Sequence, residues 1–418
     1  MYQWPPIESI LQKGGERKLH LVGSDESGNV DALSEVLAKH GHHFYAINLR
    51  VMNLNALRDV IHTFLQCDTT GTLTELSIQS GGDFCKYDEH SGIKYQDYLL
   101  SPTHSREPAF QNMLRALKVL RVSMVNLQWD TIAFSTQLVS LWVDRVTLGY
   151  DDAAMLFLRA LSSACVLRDL QITDLITFRL PGITIDQGAL PSVRFPSLKS
   201  LFLGGLTFNT LRTLLLMITP GPHRLKLYFG PECLTIAVEQ SGHVQLPERV
   251  PLASLCSLLK PIPVDTLTLV DHIQCTTVWL KGAMLRTLLN ALPTLKTLRL
   301  QNWILYRRTW RDIARQPHDT QTDPQTDSLP SLKGLYITSG KFGNTRLKDV
   351  RKVVTGHNLQ KLVLGDTGET LGSNRKHRKP IQECRDLMGW LKENVRDFRL
   401  AEREYHLPES ELYQWRLW

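Results

Sequence analysis

The sequence predicts an α/β solenoid, with one parallel sheet lining a concave side and helices on the outside. Three observations predict it. A short apolar pattern (apolar, two residues, apolar, one residue, apolar) recurs along the chain, its last two positions alternate with period two, and helical periodicity fills the intervals. Period-two alternation puts both apolar side chains on one face of a strand. Apolar residues at i, i+3, i+4 and i+7 put a stripe along one face of a helix. Strands that alternate with helices run parallel, with the helices covering one face. No unit can bury its apolar face alone, so stacking neighbours creates the core. This is the pattern of a leucine-rich-repeat horseshoe, here with about 13 irregular repeats.

In chain order, residues 1–15 form a lead-in, 16–400 the solenoid, and 401–418, ending in YQWRLW, a C-terminal cap or tail. The first unit carries Leu19 and Leu21. The loop GSDESG follows, and Leu33, Val36 and Leu37 mark a helix after it. Phe44-Ile47-Leu49 and Leu73-Leu76-Ile78 come next, joined by a helix bearing Leu57, Val60, Ile61 and Phe64. The clearest copies are Leu117-Leu120-Val122, Leu138-Leu141-Val143, Leu167-Leu170-Ile172 and Leu198-Leu201-Leu203. Leu225-Leu227 keeps only the last two positions, and Val264-Leu267-Leu269 is loose. Around these two, helices carry Leu211, Leu214, Leu215 and Ile218, then Leu252, Leu255, Cys256 and Leu259, then Leu285, Leu288, Leu289 and Leu292. The series ends with Leu295-Leu298-Leu300, Leu332-Leu335-Ile337, Leu359-Leu362-Leu364 and Val395-Phe398-Leu400. The mean step is about 32 residues, above the roughly 20–29 usual for such repeats. The surplus places loop insertions at 79–108, 176–195, 231–251, 306–330 and 365–380. Within the fourth, RQPHDTQTDPQTDS (315–328) is polar and Pro-interrupted, and a mobile loop is expected there.

Composition narrows the function classes. The chain has 418 residues, 43% hydrophobic and 21% charged, which excludes wholesale disorder. Apolar runs such as Leu214 to Ile218 are far short of the roughly 20 residues of a membrane span. No basic stretch followed by an apolar one opens the chain, so no secretory signal is read. Seven cysteines include no CxxC pair, which argues against zinc ribbons and thioredoxin-type chemistry. Reduced thiols in an intracellular protein, cytoplasmic or nuclear, are the expectation.

No catalytic motif emerges. HExxH, GxSxG, a dinucleotide fingerprint and a P-loop are all missing, so the expectation is a non-enzyme with no metal and no cofactor. His40, His42 and His43 read as a surface turn at a helix end. The run NRKHRKP (374–380) is the densest charge feature, and 341–380 holds ten Lys and Arg against three acids. A solvated loop face is the reading for it.

The informative positions lie between the apolar ones. In each strand, the residue between the last two apolar positions points away from the helices, and so does the one just after. These line the concave face, where solenoids bind partners. Candidate protein-binding residues are Arg50, Arg121, Trp142, Asp144, Phe202, Lys226, Tyr228, Arg299, Gln301 and Tyr336. Trp, Tyr and Arg are the residues that interface hot spots favour. The positive bias points to an acidic or phosphorylated protein segment. Neither membrane nor nucleic acid is the expected partner.

Several segments carry a family resemblance. They include GERKLHLVGSDES, LAKHGHHFYAINL, GTLTELSIQSG, LKVLRVSMVNLQWDTIAFSTQLVSLWVDRVTL and FPSLKSLFLGGLTFNTLRTLLLMITPGPHRLKLYF. The chain resembles the leucine-rich-repeat region of basidiomycete fungal F-box-like proteins over most of 16–365. That resemblance implies substrate recognition in a ubiquitin-ligase adaptor system, in which an N-terminal F-box docks on a Skp1-type adaptor. The 15 residues before the first repeat are too few for an F-box, so such docking needs one supplied upstream. A scaffold independent of ubiquitin is the alternative.

Overall fold

The computed structural model describes residues 19–25, 30–66, 72–81, 98–100, 103–129, 131–179, 192–238, 248–271, 279–280, 283–315, 329–342, 346–366 and 385–401. The recurring pattern becomes thirteen parallel strands in strict sequential order. They are β1 (Leu19–Asp25), β2 (Phe44–Val51), β3 (Glu75–Ser80), β4 (Val119–Ser123), β5 (Ser140–Asp144), β6 (Asp169–Thr173) and β7 (Ser200–Gly204). Then come β8 (Arg224–Phe229), β9 (Val264–Val270), β10 (Thr297–Gln301), β11 (Gly334–Phe342), β12 (Lys361–Asp366) and β13 (Asp397–Ala401). Every apolar copy read from the sequence supplies one of these strands. The fold is a leucine-rich-repeat solenoid.

Helices occupy most intervals. They are α1 (Asp31–His40), α2 (Leu54–Gln66), α3 (Glu107–Ala116), α4 (Asp151–Leu161) and α5 (Phe208–Met217). The second half adds α6 (Leu252–Leu259), α7 (Ala283–Asn290), α8 (Arg307–Ile313), α9 (Leu347–His357) and α10 (Arg385–Asn394). Helix α2 shows why these segments are helical. Asn53 Oδ1 accepts the Ala56 N–H at 2.8 Å and caps the start, and Leu57, Val60, Ile61 and Phe64 are buried on one stripe. Helix α9 stops at Asn358, whose left-handed backbone (φ 52°) ends the helix without a glycine. The strand leucines and the helix stripes form one continuous core.

Among the described residues, the intervals β4–β5 and β6–β7 contain no helix, and one interval read as a loop insertion does contain one. Between β4 and β5 the described residues contain no helix, and Val125, Leu127, Trp129, Ile132 and Phe134 fill that space instead. Trp129 stands edge-on to Phe157 of α4 at 5.3 Å. The stretch 306–330, read as a loop insertion, opens with helix α8, because Trp310 and Ile313 share a buried stripe one turn long. The rest of that stretch up to 328, including nearly all of the Pro-interrupted run, lies outside the described residues, as do NRKHRKP, the lead-in and the tail after Ala401.

At the ends of β4, β5, β6, β7 and β10, and within β11, the backbone makes the same left-handed turn. Met124, Arg145, Asp174, Gly205, Asn302 and Ser339 all have positive φ, between 47° and 62°. Five of these N–H groups donate to the next strand: Met124 to Asp144 O, Arg145 to Thr173 O, Asp174 to Gly204 O, Gly205 to Tyr228 O and Asn302 to Thr338 O. The turn therefore extends the ladder by one bond per unit while swinging the chain out of the sheet. Non-glycine residues accept this conformation at a cost that the extra bond offsets.

Outside the main sheet, a second polar layer ties three units together. Thr147–Tyr150 pairs in parallel with Ile176–Phe178. Buried Asp151, the first residue of α4, accepts from Thr177 Oγ1 at 2.6 Å and from Asn209 Nδ2 at 2.8 Å. Asn209 Oδ1 in turn accepts the Ala237 N–H at 3.1 Å. Further along, buried His357 links α9 to its neighbours, with Nε2 at 2.7 Å from Ile313 O and Nδ1 accepting the Leu332 N–H. Burial lowers its pKa, which keeps the ring neutral in that bridge.

Gly205 is the turn position least able to take a side chain. Its φ is 62°, and a Cβ there would collide with Asp174 Oδ1. Gly205→Ala is expected to destabilise the fold by about 1 kcal/mol or more. Urea unfolding checks this, read as a lower midpoint at unchanged slope.

Candidate functional site: the concave face

The side chains that face away from the helices form rows running across the strands. One row reads Asn48, Ser77, Arg121, Trp142, Gln171, Phe202 and Lys226. The row beside it reads Arg50, Gln79, Ser123, Asp144, Thr173, Gly204 and Tyr228. A uniform register would continue the first row through Arg299 and Tyr336, the matching positions of the later repeats. The structure does not do this. Between β8 and β9 the ladder passes from Leu225↔Val264 to Lys226↔Thr266, with Asp265 as an extra residue. Relative to the apolar pattern, the strands slip by two positions, so Leu227 sits beside Leu267 rather than Leu269. Arg299 and Tyr336 therefore join the row of Tyr228. The first row continues instead through Thr266, Thr297, Gly334 and Lys361. Gln301 lies in a third row with Val270 and Thr338. A similar slip between β1 and β2 sets Val22, not His20, beside Asn48.

The two halves of the face differ in chemistry. From β4 to β8 it is aromatic. Trp142 is only 9% exposed and its indole N–H donates to Thr173 Oγ1 at 3.3 Å. Phe202 is 5% exposed and packs against Tyr228, with ring centroids 6.5 Å apart. Gly204 makes that packing possible, since a Cβ there would lie 3.0 Å from the Phe202 ring and 3.1 Å from Tyr228. Arg121 is half-buried beside them and donates to Ser77 Oγ at 3.1 Å. Burial pulls its pKa down from the usual arginine range.

From β8 to β13 the face is cationic. Arg299 lies over the Tyr336 ring at 4.9 Å, and Lys361 approaches the same ring at 5.5 Å. Lys361 also bridges Asp397 at 3.2 Å, and that bond raises its pKa. Lys226 is half-buried, and burial, then the nearby Arg299, lowers its pKa. Along the edge where the strands begin, Lys118, Arg168, Lys199, Arg224, Lys296, Lys333 and Arg396 are exposed. Six of them stand two residues before the strand's own apolar pair and Arg224 directly before its pair, and backbone bonds such as Lys199 N–H to Arg168 O and Arg224 N–H to Lys199 O stack neighbours together. That ridge was legible as a basic residue recurring at one point of the repeat, outside the strand positions that the sequence reading collected.

Three of the expected contact residues differ from the solvent-facing reading. Asp144 is 1% exposed and fully engaged: it accepts from Ser123 Oγ at 2.7 Å, Thr173 Oγ1 at 2.6 Å and Arg145 Nε at 2.8 Å. Concave curvature and neighbouring hydroxyls enclose it, which makes it a structural hub. Trp142 and Phe202 are likewise packed between rungs, so their truncation carries a folding cost of its own. Next to Asp144, the Asp174 carboxyl is pushed up to about 7. Burial is the main cause, the carboxylates of Asp144 and Glu232 add to it, and Arg145 opposes it.

Among the described residues, no group of three or more His, Cys, Asp or Glu is gathered as for a metal ion. Cys165 is exposed, Cys233 buried and Cys256 half-buried, and all three are free thiols. The other four cysteines lie outside the described residues. No described helix is long and apolar enough to cross a membrane.

No family model matches the chain, and no curated protein matches it. Among solved structures, it is similar to a chain of the yeast Rad7–Elc1 complex, at 14% identity and TM-score 0.32, covering 87% of this chain and 89% of that one. It is also similar to a chain of the TLR13–ssRNA13 complex, at 14% identity and TM-score 0.29, covering 80% of this chain and 47% of that one. The fold rests on the strand order and register above rather than on these likenesses.

The Asp174 environment has a defined pH signature. An unfolded aspartate titrates near 3.9, so between about pH 4 and 7 the folded chain holds the extra proton and stability falls as pH rises. Asp174→Asn is expected to unfold at a higher temperature than wild type at pH 8. The gap should close towards pH 4, and thermal melts across that range check it.

Proposed function

We propose that the chain is a non-enzymatic protein-binding module whose concave face holds the partner. One observation carries the reading. A continuous surface of thirteen rungs, about 58 Å long at the usual strand spacing, combines aromatic side chains with cations on a rigid sheet. That length suits a standard protein interface, and Trp, Tyr and Arg are the side chains that dominate interface energetics. Within this reading Arg121, Tyr228, Arg299 and Tyr336 are the contact residues, and Trp142 and Phe202 form the packed bed between them. Cations on both halves favour an acidic or phosphorylated segment.

The finer reading is substrate recognition in an F-box-like ubiquitin-ligase adaptor system. It is supported by the sequence resemblance over 16–365. A Skp1-type adaptor would then join through an F-box upstream of the repeats. Co-purification of such an adaptor with the chain expressed from an extended transcript, and its loss without the extension, tests this step. Recovery of partners without any adaptor in either case favours the scaffold alternative.

The concave assignment is tested by Arg121→Ala and Tyr228→Ala. Each is expected to weaken a captured partner by tenfold or more, as for side chains near an interface centre. Melting temperatures should stay within a few degrees of wild type. Unchanged binding in both variants would move the site off the concave face.

A further inference from the structure

The cationic half of the face contains a trough. In the row from β8 to β12, Lys226 and Lys361 stand at the two ends, and Thr266, Thr297 and Gly334 lie between them. Three short side chains between two lysines make a low floor about 19 Å from end to end. The adjacent row supplies taller side chains along one wall: Tyr228, Arg299 and Tyr336. The Tyr336 ring leans towards the floor, since a Cβ on Gly334 would lie 3.3 Å from its Cε2.

We propose that this trough binds a phosphomonoester on a serine, threonine or tyrosine side chain of a partner protein. The proposal rests on the protein-binding reading of the concave face and names the chemistry that face selects.

Charge balance is the first argument. Tyr336 holds Arg299 and Lys361 beside one ring, which places like charges next to each other. Lys226 adds a third cation, half-buried and depressed in pKa by burial, then by Arg299, with Asp265 and Asp169 opposing and Arg224 adding a smaller push. The nearby acids are engaged with other cations or shared: Asp265 bridges Lys296 at 3.0 Å, and Asp397 serves both Lys361 and Arg399. An arriving anion relieves this crowding, and holding the cations in place beforehand lowers the cost of binding it.

Ligand type follows from the donors. A phosphomonoester is close to a dianion at neutral pH and offers three strong acceptor oxygens. The trough offers the Lys226 ammonium, the Arg299 guanidinium and the Thr297 hydroxyl, more donors than one carboxylate can use, while the Thr266 hydroxyl donates to Asp265 Oδ2 at 3.2 Å. Nucleic acid fits less well. Single strands bind through bases stacked on free aromatic faces, whereas Tyr336 already carries two cations and Tyr228 packs against Phe202. The aromatic half adjoining the trough suits the apolar side chains that flank a phosphorylated residue in a peptide.

The test uses the full chain at physiological ionic strength with three fluorescent probes. These are a degenerate pool of short phosphoserine, phosphothreonine and phosphotyrosine peptides, the same pool after phosphatase treatment, and a single-stranded RNA of similar length. Wild type is expected to bind the phosphorylated pool at least tenfold more tightly than either other probe. Lys226→Ala and Arg299→Ala should each lose about tenfold, and Lys226→Arg should retain binding. Lys39→Ala, which removes an equal charge on helix α1, should change nothing. Circular dichroism melts accompany each variant, and if an alanine variant unfolds, Arg299→Lys, which keeps the charge but not the fork, should still lose affinity. Equal binding of the dephosphorylated pool, tighter binding of RNA, binding of neither peptide pool, or indifference to the Lys226 and Arg299 variants would each overturn the proposal. If the dephosphorylated pool binds equally and Tyr228→Ala abolishes that binding, the protein-binding reading stands and the phosphate site alone fails.

Discussion

Two apolar side chains per strand, set two residues apart, hold this molecule together. In β10 they are Leu298 and Leu300, both fully buried, and the same pair recurs from rung to rung. A helix stripe such as that of α2 has nothing to bury against except these pairs and its neighbours. Burial of each leucine is worth about 2 kcal/mol, and only stacking achieves it. Everything else follows from satisfying that demand in a chain that must leave the sheet and return. The left-handed turn residues carry it out, and their N–H groups keep the ladder complete at the point of exit. Where no helix is described, as between β4 and β5, Trp129 and Phe134 deliver equivalent bulk from irregular backbone.

The polar groups enclosed by this stacking are handled locally. Asp144 has hydroxyls on either side and Arg145 across its edge. Asp151 draws on Thr177 and Asn209 from the next two units. Each network is confined to a few consecutive units, in keeping with a structure whose contacts are between neighbours. Asp174 is the exception in character, being enclosed with two other carboxylates and a single arginine.

The strands were legible because period-two leucines are a strong and repeated signal. All thirteen were identifiable, including the degenerate Leu19-Leu21 and Leu225-Leu227. Helix α8 was not, because its buried stripe is a single turn and its sequence, RRTWRDI, is mostly charged. At the candidate site the identity of the outward-facing residues could be read, since alternation fixes which face a side chain takes. Their neighbours could not. Pairing depends on where an extra residue such as Asp265 is accommodated, and no local propensity announces that. Facing away from the helices is also not the same as being exposed. A curved sheet draws its inner side chains together, so Trp142, Asp144 and Phe202 are enclosed despite pointing away from the helices.

The slip at β8 and β9 has a geometric consequence for anything lying on the sheet. It divides the inner surface into two tracks whose side-chain rows are displaced by one pair of residues, about 7 Å along the strands. A straight, stiff ligand in line with Trp142 and Phe202 would pass Lys226 and run onto threonines, while one in line with Arg299 and Tyr336 would pass Thr268, reach Tyr228 and then meet bare backbone at Gly204. A binder that engages the aromatic bed and the upper cations together must therefore step sideways at the joint. Flexible polypeptide can make such a step within two or three residues, whereas a rigid helix cannot.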